Sequence, residues 1–432
     1  MNEAEQYLFS LPRFSEKGEE ALKYGLERFR RVLSELGDPH RAAPIIHLAG
    51  TNGKGSTASY IASIATCLGA RVGLHTSPHL FAVSERMRVD GKPAPSEWLA
   101  RRIMQCKPVF DAHTVSFFEA TVALSFLFFA EEGVDLCVIE TGLGGRLDAT
   151  NVVDSAITVI TSIGYDHMGI LGNTLEAIAR EKSGIIKTGV PIISAVADER
   201  ARLVVQQTAL EKNAPFHDVY KEVMWQDETR DPVTTSGVFR TPVMEYGSMM
   251  LGLPGRHQFV NVAAALRVIE TFFPKERLDV KSIHTGIRSV CEVAGLRGRL
   301  DVIQKEPLIV LDVSHNYDSL SVSLQYVKEA IALRSGHLFV AFGTMRDKDI
   351  RQMASLLAEQ KAQLFVVPIH TDRALPPGDT IQYMASAGVP AQAVTNAQHA
   401  LQLFSEIARP EDGLLITGSH LVVSQLPVHL LK

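Results

Sequence analysis

The sequence predicts an α/β protein: a P-loop-containing, mostly parallel sheet domain followed by a smaller Rossmann-like α/β domain. Three observations carry that expectation. Short β-branched runs alternate with longer helical patterns along the 432 residues, the signature of parallel strands joined by helical crossovers. A chain of that length exceeds what one hydrophobic core fills, so two domains are expected. Finally, an early glycine-rich turn joins an apolar run to a helical pattern, and a second alternating series begins after Gly295-Leu296-Arg297-Gly298.

In the first series the strand candidates are residues 44–49, 72–75, 134–139, 156–161 and 191–195. Helical patterns cover 56–68, 117–132 and 174–182 between them. Near-continuous apolar strands such as Leu136-Cys137-Val138-Ile139 suit a sheet covered on both faces. Residues 225–249 mix Thr, Val, Gly and Pro with little helical period and read as short antiparallel strands or an excursion, before a helix over 258–273. In the second series strands are expected at 308–312, 338–342, 364–367 and 414–417. The domain boundary falls near Arg297, giving domains 1–297 and 298–432.

Composition removes several function classes. The 43 Lys and Arg against 48 Asp and Glu leave a net charge of −5, which is no footprint for a nucleic-acid partner. The longest strongly apolar stretch, 120–130, is far shorter than the roughly 20 residues of a membrane span. The start Met1-Asn2-Glu3-Ala4-Glu5 is acidic, unlike the basic start of a signal peptide. Cys67, Cys106, Cys137 and Cys291 are scattered without a C-x-x-C pair, which argues against zinc and for buried free thiols in a reducing compartment. A cytoplasmic protein follows.

The run of residues 44–49 passes directly into Gly50-Thr51-Asn52-Gly53-Lys54-Gly55-Ser56-Thr57. Three glycines let the backbone turn sharply and bring N–H groups near a phosphate chain. The helix that follows adds unsatisfied donors and its positive dipole end. Lys54 offers a point charge, and Ser56 or Thr57 a hydroxyl. The Walker spacing G-x-x-x-x-G-K-[ST] is not strictly met, because Leu48 holds the first glycine position and Gly55 follows the lysine. Placement after a strand and before a helix makes phosphate binding the stronger reading than an empty turn.

Ligands of open parallel sheets bind beyond the carboxyl ends of the strands, and polar residues gather there. Ser77 follows the run 72–75, Glu140 ends the run 134–139, and Asp166-His167 follow 156–161. Together Ser77, Glu140 and His167 could converge beside bound phosphate, where hard oxygen ligands suit Mg²⁺; the imidazole is less typical of Mg²⁺ and would also suit Mn²⁺. Singly, each has a plain alternative: Ser77 before Pro78 shapes a turn, while Glu140 or His167 caps a helix. Lys182, near a helix end, by composition only complements the helix dipole. Arg86 and Arg88 suit either an anionic substrate or ordinary surface. His47, inside a strand, reads as a core residue rather than a ligand, and Trp98 and Trp225 suggest no stacking platform. In the second domain Arg299, Asp312 and His315 cluster at a strand end and suit a nucleotide, and the loop 342–349 either lines the same cleft or opens a capped helix.

At this point the residues resemble a specific family, dihydrofolate synthase/folylpolyglutamate synthase, a relative of the Mur peptidoglycan ligases. The resemblance runs through Tyr24-Gly25-Leu26-Glu27-Arg28, the 50–57 loop, Thr76-Ser77-Pro78-His79-Leu80 and Glu85-Arg86-Met87-Arg88. It continues through Phe117-Phe118-Glu119, Gly142-Leu143-Gly144-Gly145-Arg146-Leu147-Asp148-Ala149-Thr150-Asn151, Asp166-His167, Glu181-Lys182-Ser183-Gly184 and Gly255-Arg256-His257-Gln258 with Asn261. The 50–57 loop is shared with Mur ligases, whereas the 143–151 block is much more specific to the folate enzymes.

The resemblance implies an ATP-dependent acid–amino-acid ligase that adds L-glutamate to dihydropteroate, to folate polyglutamates, or to both, through an acyl phosphate. It implies that Ser77, Glu140 and His167 hold two Mg²⁺ ions and that Lys182 is carbamylated. It also places Asn261, Arg299, Asp312 and His315 with Gly50, Thr51, Asn52, Gly53, Lys54, Gly55, Ser56 and Thr57 at ATP. Ser116, Phe118, Leu147, Asp148 and Ala149 match the region receiving the pterin substrate, and Lys54, Lys182 and His167 serve the catalytic step. A monomer is implied. This chain departs from the family's pattern at Thr141, which replaces Val, and at Ser314 and Tyr317, which replace Ala and Pro; loss of the proline is expected to loosen the second domain's nucleotide loop. The rivals are a Mur-type ligase, which would need a further N-terminal domain before Gly50, and an ATP-binding regulatory protein, which would leave the other strand-end groups unexplained.

Overall fold

A computed structural model describes residues 2–12, 25–332 and 335–430; Met1 and Tyr24 lie outside them. The chain divides into two compact units. The first comprises Met1–Gln226, Val238–Gly252 and Phe259–Leu296, and the second Asp227–Gly237, Leu253–Gln258 and Arg297–Lys432. The second unit is therefore not one continuous stretch, since two short segments ahead of residue 297 pack with it.

The first unit is built on an eight-stranded sheet of β1 (Ile45–Ala49), β2 (Val72–His75), β3 (Met87–Val89), β4 (Lys92–Pro93), β5 (Leu136–Glu140), β6 (Ile157–Ile160), β7 (Ile192–Ser194) and β8 (Phe216–Asp218). Their order is β4-β3-β2-β5-β1-β6-β7-β8. The strands from β2 to β8 run parallel, and β3 and β4 add an antiparallel edge. β1 lies in the middle, with Leu48 opposite Glu140 of β5 and Ala49 opposite Ile160 of β6. Its five residues are all buried, as expected where both faces are covered. Whatever leaves the carboxyl end of β1 is thus flanked by the ends of two neighbours.

One helix starts directly at that end. Helix Lys54–Cys67 starts straight from the glycine-rich turn, its N-cap Gly53 taking φ 82°, a left-handed conformation that costs glycine nothing. That start lies two residues ahead of the apolar period at Ser56, because the glycine rather than the periodicity sets it. Helix Phe117–Glu132 is buried along nearly its whole length, which explains why its sequence is apolar on every side. Its N-terminus carries a capping box in which Ser116 and Glu119 satisfy each other's backbone N–H groups. Among the described residues no helix is long and apolar enough to cross a membrane.

After β8 along the chain, β9 (Met224–Asp227), β10 (Thr235–Arg240) and β11 (Glu245–Leu251) form a separate three-stranded sheet, where the sequence offered short strands or an excursion. Helix Gln258–Phe272 follows. The second unit's sheet contains β12 (Asp301–Lys305), β13 (Leu308–Leu311), β14 (Leu338–Phe342), β15 (Gln363–Val366), β16 (Ala391–Ala393) and β17 (Gly413–Thr417) in the order β12-β13-β17-β14-β15-β16. It is parallel except for β12, which pairs antiparallel with β13. The expected series missed the edge strands β12 and β16, whose residues are largely half-buried or exposed and carry no apolar run.

Helix Lys54–Cys67 is held from behind by helix Val280–Arg288. Ser63 Oγ donates to the Gly286 carbonyl at 2.7 Å, and a Cβ on Gly286 would stand 2.6 Å from Ile64 Cα. Gly286→Val should lower stability by about 1–3 kcal/mol through this overpacking. An unchanged midpoint in chemical unfolding would contradict the close approach.

Candidate active site

The glycine-rich loop is laced to the end of β6. Thr51 N–H donates to the Ser162 carbonyl at 2.8 Å, and Asn52 N–H to Ser162 Oγ at 2.8 Å. The hydroxyls of Thr161 and Ser162 both donate to the Asn52 carbonyl, at 2.8 and 2.9 Å. Gly164 N–H reaches Thr51 Oγ1 at 3.0 Å. Gly50 has no room for a side chain, because a Cβ there would run into Thr161 Oγ1. Gly53 is closed off in the same way by Asn261 Oδ1, 2.6 Å from where a Cβ would lie. Asn261 also accepts from Thr57 Oγ1 at 3.2 Å, so helix Gln258–Phe272 delivers its amide directly against the loop.

Two ammonium groups converge on one carbonyl. Lys54 Nζ donates to Gly50 O at 3.0 Å and to Thr51 O at 3.1 Å, and Lys182 Nζ donates to Gly50 O at 2.8 Å. Lys182 is only 4% exposed. Burial and then the Lys54 charge push its pKa down to about 7, Asp166 and Asp148 opposing. Lys182 therefore does more than complement a helix dipole. Helix Leu175–Ser183 aims it inward because Arg146 N–H bonds the Glu181 carbonyl at 2.8 Å, and Gly145 and Gly184 allow the 142–151 loop to lie against the helix end.

Ser77 and Glu140 stand together: Ser77 N–H donates to Glu140 Oε2 at 3.1 Å, and the carboxylate is buried. His167 adopts φ 50° at the start of helix Met168–Leu171, its Nε2 3.8 Å from Asp166 Oδ1. A buried carboxylate beside a serine is an oxygen donor set of the kind hard divalent ions take. Arg86 and Arg88 are not ordinary surface. Arg86 is buried over the Phe117 ring, 5.2 Å from its centroid, with Nε donating to His79 Nδ1 at 2.9 Å. Arg88 is drawn back onto Glu85, donating to its carbonyl.

The expected substrate residues divide. Phe118 is half-buried and its ring covers Gly142, where a Cβ would collide with it. Leu147 and Ala149 are half-buried on the same loop. The Asp148 carboxylate is instead used inside the loop. It accepts from the N–H groups of Gly142 at 2.9 Å, Leu143 at 2.8 Å and Thr150 at 3.0 Å, and from Thr150 Oγ1 at 2.6 Å. Burial raises its pKa and these four bonds oppose the rise. The Asp148 carboxylate thus fixes the backbone of its own loop. Ser116 likewise caps its helix, donating to Glu119 Oε2 at 2.8 Å.

In the second unit Asp312 plays the part that Asp148 plays in the first. Its carboxylate accepts from Leu300 N–H at 2.8 Å, Ser314 N–H at 2.9 Å, Ser323 Oγ at 2.9 Å and the Ser314 hydroxyl. Arg299 donates to the Gly298 carbonyl at 3.1 Å, and His315 Nδ1 stands 3.1 Å from the Val313 carbonyl. The turn that precedes Tyr317 is hydrogen-bonded throughout. Asn316 Oδ1 accepts from Ser319 N–H at 3.0 Å, and Ser314, the other departure, ties the turn to Asp312 and to Ser323 Oγ at 2.7 Å. The loop 342–349 opens a helix, Ile350–Glu359, capped by Asp349. Thr161, Ser162, Thr150 and Ser323 were absent from the sequence-derived set: Thr161 and Ser162 are marked only by their place just beyond β6, and Thr150, within the 142–151 loop, and Ser323, within helix Tyr317–Ala332, by nothing local.

Matches to known proteins agree with this geometry. The chain matches the Mur ligase middle domain over residues 48–269 and the Mur ligase glutamate ligase domain over residues 298–420. Fold and site together define an ATP-dependent ligase of the Mur type. The dihydrofolate synthase/folylpolyglutamate synthase of Bacillus subtilis (strain 168) is 37% identical over 343 residues, spanning 78% of this chain and 79% of that one. The chain belongs to the dihydrofolate synthase/folylpolyglutamate synthase family. Among solved structures, Escherichia coli FolC in complex with DHPP and ADP superposes with a TM-score of 0.82 at 27% identity, covering 93% of this chain and 92% of the other. The bifunctional enzyme of Yersinia pestis complexed with AMPPNP and Mn ion gives 0.83 at 28%, covering 94% and 93%.

Gly50→Ala should force the loop off the end of β6 and weaken nucleotide binding by about tenfold or more, on the order of 1.4 kcal/mol. Calorimetric titration with ADP reads this; wild-type affinity in the variant would refute the fit between Gly50 and Thr161.

Proposed function

We propose that this enzyme joins L-glutamate to dihydropteroate and to folate polyglutamates at the expense of ATP, releasing ADP and phosphate. The observation that carries the reading is the glycine-rich loop held in one shape by Thr161, Ser162 and Asn261, with the Lys54 ammonium drawn onto its Gly50 and Thr51 carbonyls. Phosphoryl transfer needs concentrated, preorganised positive charge rather than covalent chemistry. The substrate carboxylate attacks the γ-phosphorus of ATP, the bond to the β–γ bridging oxygen breaks, and ADP leaves with an acyl phosphate formed. The glutamate amine then attacks the acyl carbon, phosphate departs, and the ammonium proton passes to solvent. Lys54 and the N–H groups of the 50–57 loop bind and orient the phosphates throughout, and Asn261 keeps the loop closed around them.

Ser77, Glu140 and His167 are the residues that would hold Mg²⁺, which when bound offsets charge on the transferring phosphoryl group. In the second unit Arg299, Asp312 and His315 are the proposed nucleotide-binding residues, and in the first Phe118, Leu147 and Ala149, with Ser116 and Asp148 on the same segments, receive the pterin. A glutamate ligase of this kind belongs in a reducing cytoplasm, a reading supported by four free cysteines; burial pushes Cys137 up to about 12 and Cys106 up to about 11.

Turnover should require ATP, a divalent ion, L-glutamate and dihydropteroate or a folate together. Coupled assays should find ADP and phosphate in equal amounts; AMP and pyrophosphate would exclude the acyl phosphate.

Lys182 is proposed to be carbamylated, its neutral amine adding to CO₂ to give a carbamate and a proton. A pKa near 7 leaves a large neutral fraction at neutral pH, and only that form is nucleophilic. CO₂-depleted enzyme should lose activity and regain it with bicarbonate. The recovery should weaken as pH falls through about 7, where the ammonium form takes over. Full activity after CO₂ depletion at every pH would remove the carbamate.

A further inference from the structure

Two buried histidines of the first unit take no part in the reaction as described. His47 on β1 and His75 on β2 flank Ile139 of β5 in register. Burial pushes both to about 3, so both rings are neutral, and their partners fix which nitrogen bears the proton. Thr150 Oγ1 donates its only proton to Asp148 Oδ1 at 2.6 Å, so it accepts from His47 Nε2, 2.8 Å away. His47 is therefore the Nε2–H tautomer. By the same accounting Ser125 Oγ donates to the Thr121 carbonyl at 2.8 Å and accepts from His75 Nδ1 at 2.8 Å. The His75 chain ends within helix Phe117–Glu132. The His47 chain does not: it runs through Thr150 and Asp148 to the N–H groups of Gly142 and Leu143.

We propose that His47 is a positioning residue for the substrate loop, its Nε2–H holding the Thr150 hydroxyl, which aims the Asp148 carboxylate that folds the Gly142–Leu143 turn under Phe118. The inference rests on reading the 142–151 loop as the segment that receives the folate substrate. β1 then serves both reactants. Its carboxyl end becomes the phosphate loop, and three residues earlier its imidazole sets the other loop. Every link is buried: His47 is 0% exposed, Thr150 0% and Asp148 6%. A buried hydroxyl that loses its donor keeps an unsatisfied lone pair and is free to rotate away from Asp148. The phosphate loop is fastened independently by Thr161, Ser162 and Gly164, so the two effects separate.

The test compares His47→Leu, which keeps bulk and removes the donor, with His47→Gln, whose amide N–H stands where Nε2–H stood. In His47→Leu the KM for dihydropteroate should rise by about five- to tenfold, the scale of one neutral hydrogen bond. The KM for ATP should stay within about twofold, and His47→Gln should recover most of the loss. Hydrogen exchange in the free protein gives a readout that needs no turnover: the Gly142 and Leu143 amides should exchange about tenfold faster in His47→Leu and near the wild-type rate in His47→Gln. If the leucine variant fails to fold, His47→Asn replaces it, its shorter amide leaving Thr150 without the donor. Unchanged exchange at Gly142 and Leu143, equal rises in both KM values, or no advantage of glutamine over the donor-less variant would overturn the proposal. Wild-type protein that turns over no folate, with exchange behaving as expected, would instead refute the reading of the loop and leave the positioning intact.

Discussion

The site depends on how β1 ends. A strand at the middle of a parallel sheet delivers its chain into a crevice already bounded by β5 and β6, and at Gly50 the Thr161 hydroxyl occupies the place of a side chain. The turn that follows must expose its own N–H groups while its carbonyls find partners. Thr161 and Ser162 take the Asn52 carbonyl, and Lys54 and Lys182 take that of Gly50. With carbonyls satisfied from behind, the loop is a preorganised cradle rather than a flexible strand-to-helix turn, which is what a phosphate site requires. The pairing of two lysines on one carbonyl also explains the low pKa of Lys182, since the Lys54 charge adds to the cost of burial.

The two units solve a common problem with the same device. Asp148 and Asp312 are buried carboxylates, each accepting four hydrogen bonds from the turn around it. Hydrogen bonds to a charged acceptor contribute about 1.5–3 kcal/mol each, against the desolvation of the ion. The net result is a turn held in one conformation. In the second unit Ser314 adds a hydroxyl to that set and meets Ser323. Asn316 caps the helix that Tyr317 begins.

A good part of this was legible in the chain. The parallel strands, the helix behind the phosphate loop and the wholly buried helix Phe117–Glu132 announce themselves through period and apolar content, which act over a few residues. The glycine-rich loop and the strand-end residues Ser77, Glu140 and Asp166-His167 follow from a rule about where parallel sheets bind ligands. The resemblance to the folate ligases rested on the same local blocks, and the family followed from them.

What the sequence could not supply were partners distant along the chain. Nothing near Asn52 points to Thr161 and Ser162, and nothing near His47 points to Thr150; these are separated by about a hundred residues and meet only because β1 lies between β5 and β6. By composition alone Lys182 read as a helix-end lysine, and its burial against Gly50 came only with the fold. Asp148 and Ser116 matched a substrate region, yet their side chains serve a turn and a cap. Local sequence determined which residues could bind phosphate, metal and folate, because residue chemistry and strand position are properties of short segments. The tertiary structure decided which of them present a side chain and which hold the loops in place, because burial and hydrogen-bond partners exist only once distant segments are packed together.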